Sequence, residues 1–228
     1  MNITHETALF IGAWFVQMGA HEGAHAYAAH YLGDDTAYLL GKRSFNPLAH
    51  IEWQKINSVL FCVVCPIATT LTMGFPLGMA WVPVNPRRLK KWRRDMALVS
   101  FAGPAANLAV VAACLVVHLI LSQFPLVPLD MAENVPLTLG GILWMFDEFA
   151  RVICITSALY GFFNLIPLPP LDGSKILHFF LPPGGRDIMD RIEPYGMMII
   201  FVLFWIGDAS IIIYIPVIGT MLLWGLIG

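Results

Sequence analysis

Charged residues are scarce in this chain. Asp, Glu, Lys and Arg make up only 12% of its 228 residues, whereas apolar residues make up 58%. A soluble domain of this length carries about 25% charged residues and roughly 45–50% apolar ones. The scarcity of charge therefore argues against a soluble globular domain. The net charge of −2 offers no basic field for nucleic acid, so no nucleic-acid partner is expected.

Cysteines and long polar stretches are rare as well. The four cysteines, of which Cys62 and Cys65 form a CVVC pair, all lie in apolar runs. No second ligand pair accompanies CVVC, so the cysteines are interpreted as small packing residues. The N-terminus, MNITHETALF, lacks the positive region of a signal peptide. No polar stretch is long enough for a second core, so we expect one membrane-embedded domain over residues 1–228.

The chain does contain several apolar runs of about the length that crosses a bilayer, roughly 20 residues. They fall at about 7–31, 58–80, 97–123, 149–167, 195–207 and 209–227. This pattern predicts an all-α polytopic membrane protein with about five to six transmembrane helices and a core over residues 7–177. The last segment, 195–228, is predicted to form a hydrophobic hairpin, with one kinked element as the alternative.

The distribution of basic residues predicts the orientation of these runs. Segment 81–95 holds six of the thirteen Lys and Arg residues, whereas 124–140 holds none. By the positive-inside rule the first is cytoplasmic and the second lies outside. Segments 34–56 and 166–194 carry three basic residues each, and both are predicted to be cytoplasmic.

Run 58–80 is then flanked by two cytoplasmic segments. It also contains Pro66, Gly74, Pro76 and Gly78, which suit a segment buried against protein better than a straight lipid-facing helix. A re-entrant hairpin is therefore favoured over a single span, although the sequence leaves both open. Segments 36–56 and 79–86 are expected to add short β-strands near the cytoplasmic face.

One of these runs carries an ionisable motif, HEGAH. His21 and His25 are spaced i,i+4, so both imidazoles project from one helical face, and Glu22 lies beside them. HExxH supplies two zinc ligands and a carboxylate that can act as a general base. Ionisable groups at membrane depth are costly, which favours a functional interpretation.

A catalytic zinc ion needs a third protein ligand. His30 lies about 140° round the helix from His25. The extended motif HExxHxxGxxH also fails, because Ala28 and Tyr31 stand where it has Gly and His. The better candidate is Asp172, in NLIPLPPLDGSKIL, where three prolines prevent a regular helix at the cytoplasmic end of a span.

Three motifs in order, HEGAH, FAGPAAN and NLIPLPPLDG, resemble those of the site-2 protease family of intramembrane zinc metalloproteases. LGDDTA, NPLAHI and PVNPRRL resemble its short bacterial branch, which has no PDZ or CBS module. The match covers residues 18 to 177. The resemblance implies one zinc ion held by His21, His25 and Asp172, with Glu22 as the catalytic glutamate. It also implies that Asn164 and Asn107 line the active site.

His50, in NPLAHI, is interpreted first as a turn-stabilising residue, with metal binding or a place just behind the metal ligands as the alternatives. The expected function is hydrolysis of peptide bonds in or near transmembrane segments of membrane-protein substrates, in a bacterial inner membrane with the active site toward the cytoplasm. One alternative is a zinc-binding transporter or sensor, although Gln17 is the one polar side chain in the outer half of the first run. The other is an inactive scaffold that binds transmembrane helices.

Overall fold

A computed structural model describes residues 5–126, 138–206 and 210–227. The helices in these residues are α1 (His5–Tyr31), α2 (Thr36–Leu39), α3 (Ile56–Val59), α4 (Cys65–Met73), α5 (Trp92–Leu121), α6 (Leu139–Asn164), α7 (Asp172–Phe180), α8 (Pro183–Ile192), α9 (Gly196–Ile206) and α10 (Ser210–Ile227). One π-helical turn, Leu60–Val64, joins α3 to α4. The predicted all-helical class therefore holds for the described residues.

The centre of the fold is the packing of α1, α5 and α6 on one another, with α7 against α5. Small residues let these helices approach closely. A methyl group at Gly12 would meet the ring of Phe149 at 3.2 Å, and one at Gly161 would meet the Cβ atom of Asn107 at 3.2 Å. The result is a three-helix core with the start of α7 at one end.

The segment between α2 and α5 forms a hairpin with one helical arm and one returning arm. The helical stretch Ile56–Met73 ends at Gly74, whose φ of 76° is the left-handed conformation that glycine adopts readily. The chain then returns in irregular conformation over residues 76–85. The Met79 amide donates to the Phe61 carbonyl at 3.0 Å. The hydroxyl of Tyr160 donates to the Pro76 carbonyl, which ties the returning chain to α6.

This geometry has the form of the predicted hairpin, but its returning arm is not a strand. None of the described residues is in a strand, so the short strands expected in 36–56 and 79–86 are absent there. The physical reason is that residues 76–85 lie against helices, so no described neighbouring strand can pair with them. Pro76 and Pro83 also lack the amide hydrogen that a strand ladder needs. Asn85 instead donates its amide to the buried carboxylate of Asp34, at the end of α1.

Two helical stretches in the described residues are long and apolar enough to cross a membrane by length and composition, Ile56–Met73 and Trp92–Leu121. Helices α1 and α6, with 27 and 26 residues, would each extend about 40 Å at 1.5 Å per residue. Both carry buried polar side chains, which lower their apolar content without facing lipid. The number of five to six spans stays a prediction. The turn of the predicted C-terminal hairpin, residues 207–209, lies outside the described residues.

Candidate metal centre

The two histidines of HEGAH lie one helical turn apart on α1, and both are buried. Their Nε2 atoms are 3.0 Å apart, and the rings meet edge to face. The i,i+4 spacing produces this arrangement directly, because residues four apart are neighbours on a helix surface.

Asp172 joins them from the start of α7. Its Oδ2 atom lies 3.1 Å from the Nε2 atom of His21 and 3.1 Å from that of His25. The turn that delivers it is tight: a methyl group at Gly173 would meet the Leu165 carbonyl oxygen at 2.2 Å. The proline-rich stretch after α6 therefore returns the chain onto itself and places the carboxylate beside the imidazoles.

These three atoms form a nearly equilateral triangle with edges of 3.0 to 3.1 Å. Ligands at about 2.0–2.1 Å from a tetrahedral zinc ion are roughly 3.3 Å apart, and a catalytic zinc site has three protein ligands and one open position. The observed triangle fits such an ion after a small expansion. Among the described residues, His21, His25 and Asp172 are the one group of three or more His, Cys, Asp or Glu side chains that could hold a metal.

The triangle opens into a cavity of about 360 Å³. Glu22, which is 6% exposed, lines this cavity together with Asn164 and Lys175. The returning arm of the hairpin contributes one wall, residues 78–82 and 84. A carboxylate that can carry a proton and a buried ligand triangle thus line one cavity.

The remaining predicted site residues are divided between the cavity and its surroundings. Asn164 lines the cavity, and its Nδ2 atom donates to the Tyr160 carbonyl at 3.0 Å. Asn107, in contrast, is fully buried between α5 and α6 and is not among the cavity-lining residues. Helix α6 packs directly on it, because a methyl group at Gly161 would meet the Cβ atom of Asn107 at 3.2 Å.

His50 lies in a loop that packs on the opposite side of α1 from the ligand triangle. Its Nε2 atom donates to the Ser44 carbonyl at 2.8 Å, which agrees with the turn-stabilising role expected first. That loop needs glycines on α1, because a methyl group at Gly23 would meet the Ser44 carbonyl oxygen at 2.8 Å. Burial lowers the pKa of His50. It contributes no atom to the triangle.

The same loop is held by a buried lysine. Lys42 donates to the Glu52 carboxylate at 2.7 Å, and Lys55 pairs with the other oxygen of Glu52. These two ammonium groups lower the pKa of Glu52. The loop that supports α1 behind the metal centre is therefore fastened by its own ion pairs.

Sequence reasoning missed two features of the site, a backbone acceptor and a close approach of α5. The Val99 carbonyl accepts from the Nδ1 atom of His25 at 2.7 Å. Gly103 lies against both imidazoles, since a methyl group there would meet the Nε2 atom of His25 at 2.4 Å. Only Gly103 had a signal in the sequence, namely its place in FAGPAAN; a backbone carbonyl leaves none.

Comparison with known proteins places the chain among peptidases. The model of peptidase family M50 matches residues 9–207. A relative in Bacillus subtilis, named "Putative zinc metalloprotease YwhC", is 35% identical over 190 residues, which are 83% of this chain and 76% of the relative. "Putative zinc metalloprotease Rip2" is 27% identical in Mycolicibacterium smegmatis and 24% in Mycobacterium tuberculosis, each over 86% of this chain and 66% of the relative. No solved structure matches the chain significantly.

Proposed function

Because the chain belongs to peptidase family M50, we propose that it cuts transmembrane segments of other membrane proteins, with a zinc ion held by His21, His25 and Asp172 and with Glu22 as its proton carrier. The family makes the protein a zinc metalloprotease of the intramembrane, site-2 type. The observation that carries the residue assignment is the convergence of three ligand atoms within 3.0 to 3.1 Å at a cavity that Glu22 lines.

When bound, zinc supplies a Lewis acid that polarises the scissile carbonyl and makes a water molecule a nucleophile at neutral pH. The protein's part is to hold the ligands in position. The Val99 carbonyl accepts a hydrogen bond from Nδ1 of His25, which leaves the Nε2 lone pair of that ring for the metal. Asp172 stands at the first turn of α7, where the positive end of the helix dipole favours a carboxylate.

Glu22 is proposed to accept the proton of the attacking water and to deliver it to the leaving amine. Its place beside His21 on α1 and in the cavity wall supports this role. A positioned general acid and base contributes typically about 10²–10⁴-fold to a rate. Its burial also shields the proton from bulk water.

The substrate is proposed to bind in an extended form along residues 78–84 and beside Asn164. A helical segment hides its carbonyl groups in its own hydrogen bonds, so it must unwind before attack. The returning arm is irregular and borders the cavity, so it offers backbone groups for pairing with an extended peptide. Such pairing recognises main chain more than side chains.

The protein is membrane-associated, and we propose a finer placement. The single domain would lie in a bacterial inner membrane with five to six spans, with hairpin 58–80 re-entering and the metal centre toward the cytoplasm. The basic residues between Pro86 and Arg94 support this orientation, because they lie at the end of the hairpin's returning arm and the start of α5.

Glu22→Gln tests the assignment. The variant should bind one zinc ion per chain as the wild type does, and its cleavage of a model membrane substrate in detergent should fall by at least about 100-fold. Glu148→Gln is a matched control. Glu148 pairs with Arg151 in the first half of α6, whereas Asn164 at the end of that helix lines the cavity, so this variant should keep full activity. Unchanged cleavage by Glu22→Gln would remove Glu22 from the mechanism, and wild-type protein that takes up no zinc would remove the metal assignment.

A further inference from the structure

The two histidines of the ligand triangle differ in what holds the far side of each ring. His25 has the Val99 carbonyl at its Nδ1 atom. The Nδ1 atom of His21 is buried and has no hydrogen-bond partner among the described residues. A histidine that binds a metal almost always donates its second ring N–H to a carboxylate, a carbonyl or a water, so His21 is expected to have such a partner.

A buried amide without partners lies nearby on α5. Neither Nδ2 nor Oδ1 of Asn107 makes a hydrogen bond to the described residues, and the residue is fully buried. Asn107 follows Gly103 by one helical turn on the same side of α5, and a methyl group at Gly103 would meet the Cε1 atom of His21 at 2.7 Å. Asn107 therefore lies about one turn along α5 from the point where that helix touches the His21 ring.

A third unpartnered atom lies on α6, at a level of the helix pair just beyond Asn107. The Oγ atom of Ser157 is buried and has no partner among the described residues. Ser157 lies one turn before Gly161, which packs against Asn107, and Cys154 on the same side of α6 reaches the Val111 carbonyl of α5. Helices α5 and α6 thus contact each other at Asn107 with Gly161 and at Val111 with Cys154. Ser157 lies between these two contacts along α6.

Leaving four buried polar atoms without partners would cost about 1–3 kcal/mol each. A buried water typically makes about three hydrogen bonds to such groups. We propose that Asn107 is a positioning residue of the metal centre: its side-chain oxygen accepts, through an ordered water, the Nδ1–H of His21, while Ser157, on the side of Asn107 away from Gly103, holds the amide in place through ordered water. This inference rests on the proposed function, because it assumes that the Nε2 atom of His21 binds zinc.

The arrangement would fix the tautomer of His21. An acceptor chain at Nδ1 keeps the proton on that nitrogen and leaves the lone pair of Nε2 directed at the metal. His25 achieves the same through a backbone carbonyl. The asparagine of FAGPAAN would then act on the metal without lining the cavity.

The test is zinc affinity, measured by competition with a chelator on the full-length protein in detergent. Asn107→Leu, which keeps an apolar side chain in the helix interface, should bind zinc 10- to 100-fold more weakly than the wild type. Asn107→Asp should restore at least part of that loss, because a carboxylate oxygen accepts from the bridging water as the amide oxygen does. Cobalt loaded in place of zinc should show a changed visible spectrum in Asn107→Leu, since its bands report ligand geometry.

Thr156→Val is the matched control. Thr156 is also buried on α6, but its hydroxyl bonds to the carbonyl of Val152 in its own helix, so the change should leave zinc affinity and the cobalt spectrum unaltered. If Asn107→Leu does not fold, Ser157→Ala replaces it, with about fivefold weaker zinc binding expected from one lost hydrogen bond. Wild-type zinc affinity in the variants would overturn this inference while leaving the proposed function intact, whereas wild-type protein that binds no zinc would overturn both.

Discussion

Two buried clusters of histidine and aspartate lie in different parts of the helical core, within the residues that the structure describes. One joins His21 and His25 of α1 to Asp172 of α7. The other joins His118 of α5 to Asp147 of α6, with Nδ1 and Oδ1 2.8 Å apart. Both use the same side-chain chemistry, and both are shielded from solvent.

The clusters differ in what occupies the ring nitrogens. In the second cluster the Nε2 atom of His118 faces the Trp224 carbonyl at 3.2 Å, and the indole of Trp224 stacks on the imidazole at 4.1 Å. Both nitrogens are thus occupied by acceptors. In the first cluster three ligand atoms point at one another and open into a cavity. A histidine–aspartate pair inside a membrane protein therefore indicates a metal site only when a third ligand and open space come with it.

The carbonyl that His118 meets belongs to the last turn of α10. The last four carbonyls of a helix have no intrahelical partner, so His118 satisfies one of them and fastens α10 to the core. The second cluster therefore links α5, α6 and α10 through polar contacts between helices.

The largest expected effect is a loss of zinc binding when the aspartate of the first cluster is removed but not when that of the second is. Asp172→Ala removes one of three proposed ligands and should weaken zinc binding by more than about 100-fold, beyond the loss that removing a supporting hydrogen bond causes. Asp147→Ala should keep the full zinc content. Zinc analysis after dialysis against a chelator distinguishes the two, and equal zinc loss in both variants would contradict the comparison.

An intermediate effect is expected from Gly103→Ala. The added methyl group would meet the Nε2 atom of His25 at 2.4 Å, so the imidazoles must shift, which costs about 1–3 kcal/mol as overpacking does. Zinc affinity should fall about 10- to 100-fold. Gly219→Ala on α10 is the control, because a methyl group there meets nothing within 4 Å and zinc affinity should not change. If Gly103→Ala bound zinc normally, the close contact between α5 and the ligands would be refuted.

The smallest effect on function is expected from changes in the second cluster. These changes should lower stability but leave the zinc content unchanged. Asp147→Ala leaves His118 without its partner and should lower the free energy of unfolding by about 3 kcal/mol. The double variant His118→Leu with Asp147→Leu should recover much of that loss, because apolar residues of similar volume often replace a buried pair without cost. Thermal unfolding in detergent measures both. A double variant as unstable as the single one would show that the cluster does more than join helices.

The proposed metal ligands differ in how readily they could be predicted from the sequence. His21 and His25 needed only the helical period, whereas Asp172 needed a topology that brought two distant ends together, and the structure places its carboxylate 3.1 Å from both rings. Asn107 was predicted to line the site, but it is buried beside the cavity under Gly161 of α6. The sequence alone does not show that these two helices pack at this point. The short strands were predicted from turn residues, although no neighbouring strand exists among the described residues to pair with them.

The sequence by itself determined that two imidazoles and a glutamate share one turn of a helix, because a helix fixes neighbours three and four residues apart whatever surrounds it. The sequence also singled out Asp172, but only the tertiary structure brought its carboxylate to 3.1 Å from both imidazoles and paired His118 with Asp147 between helices. Those outcomes depend on contacts between residues 29 to 151 positions apart, and such contacts are set by how the helices pack rather than by any local period.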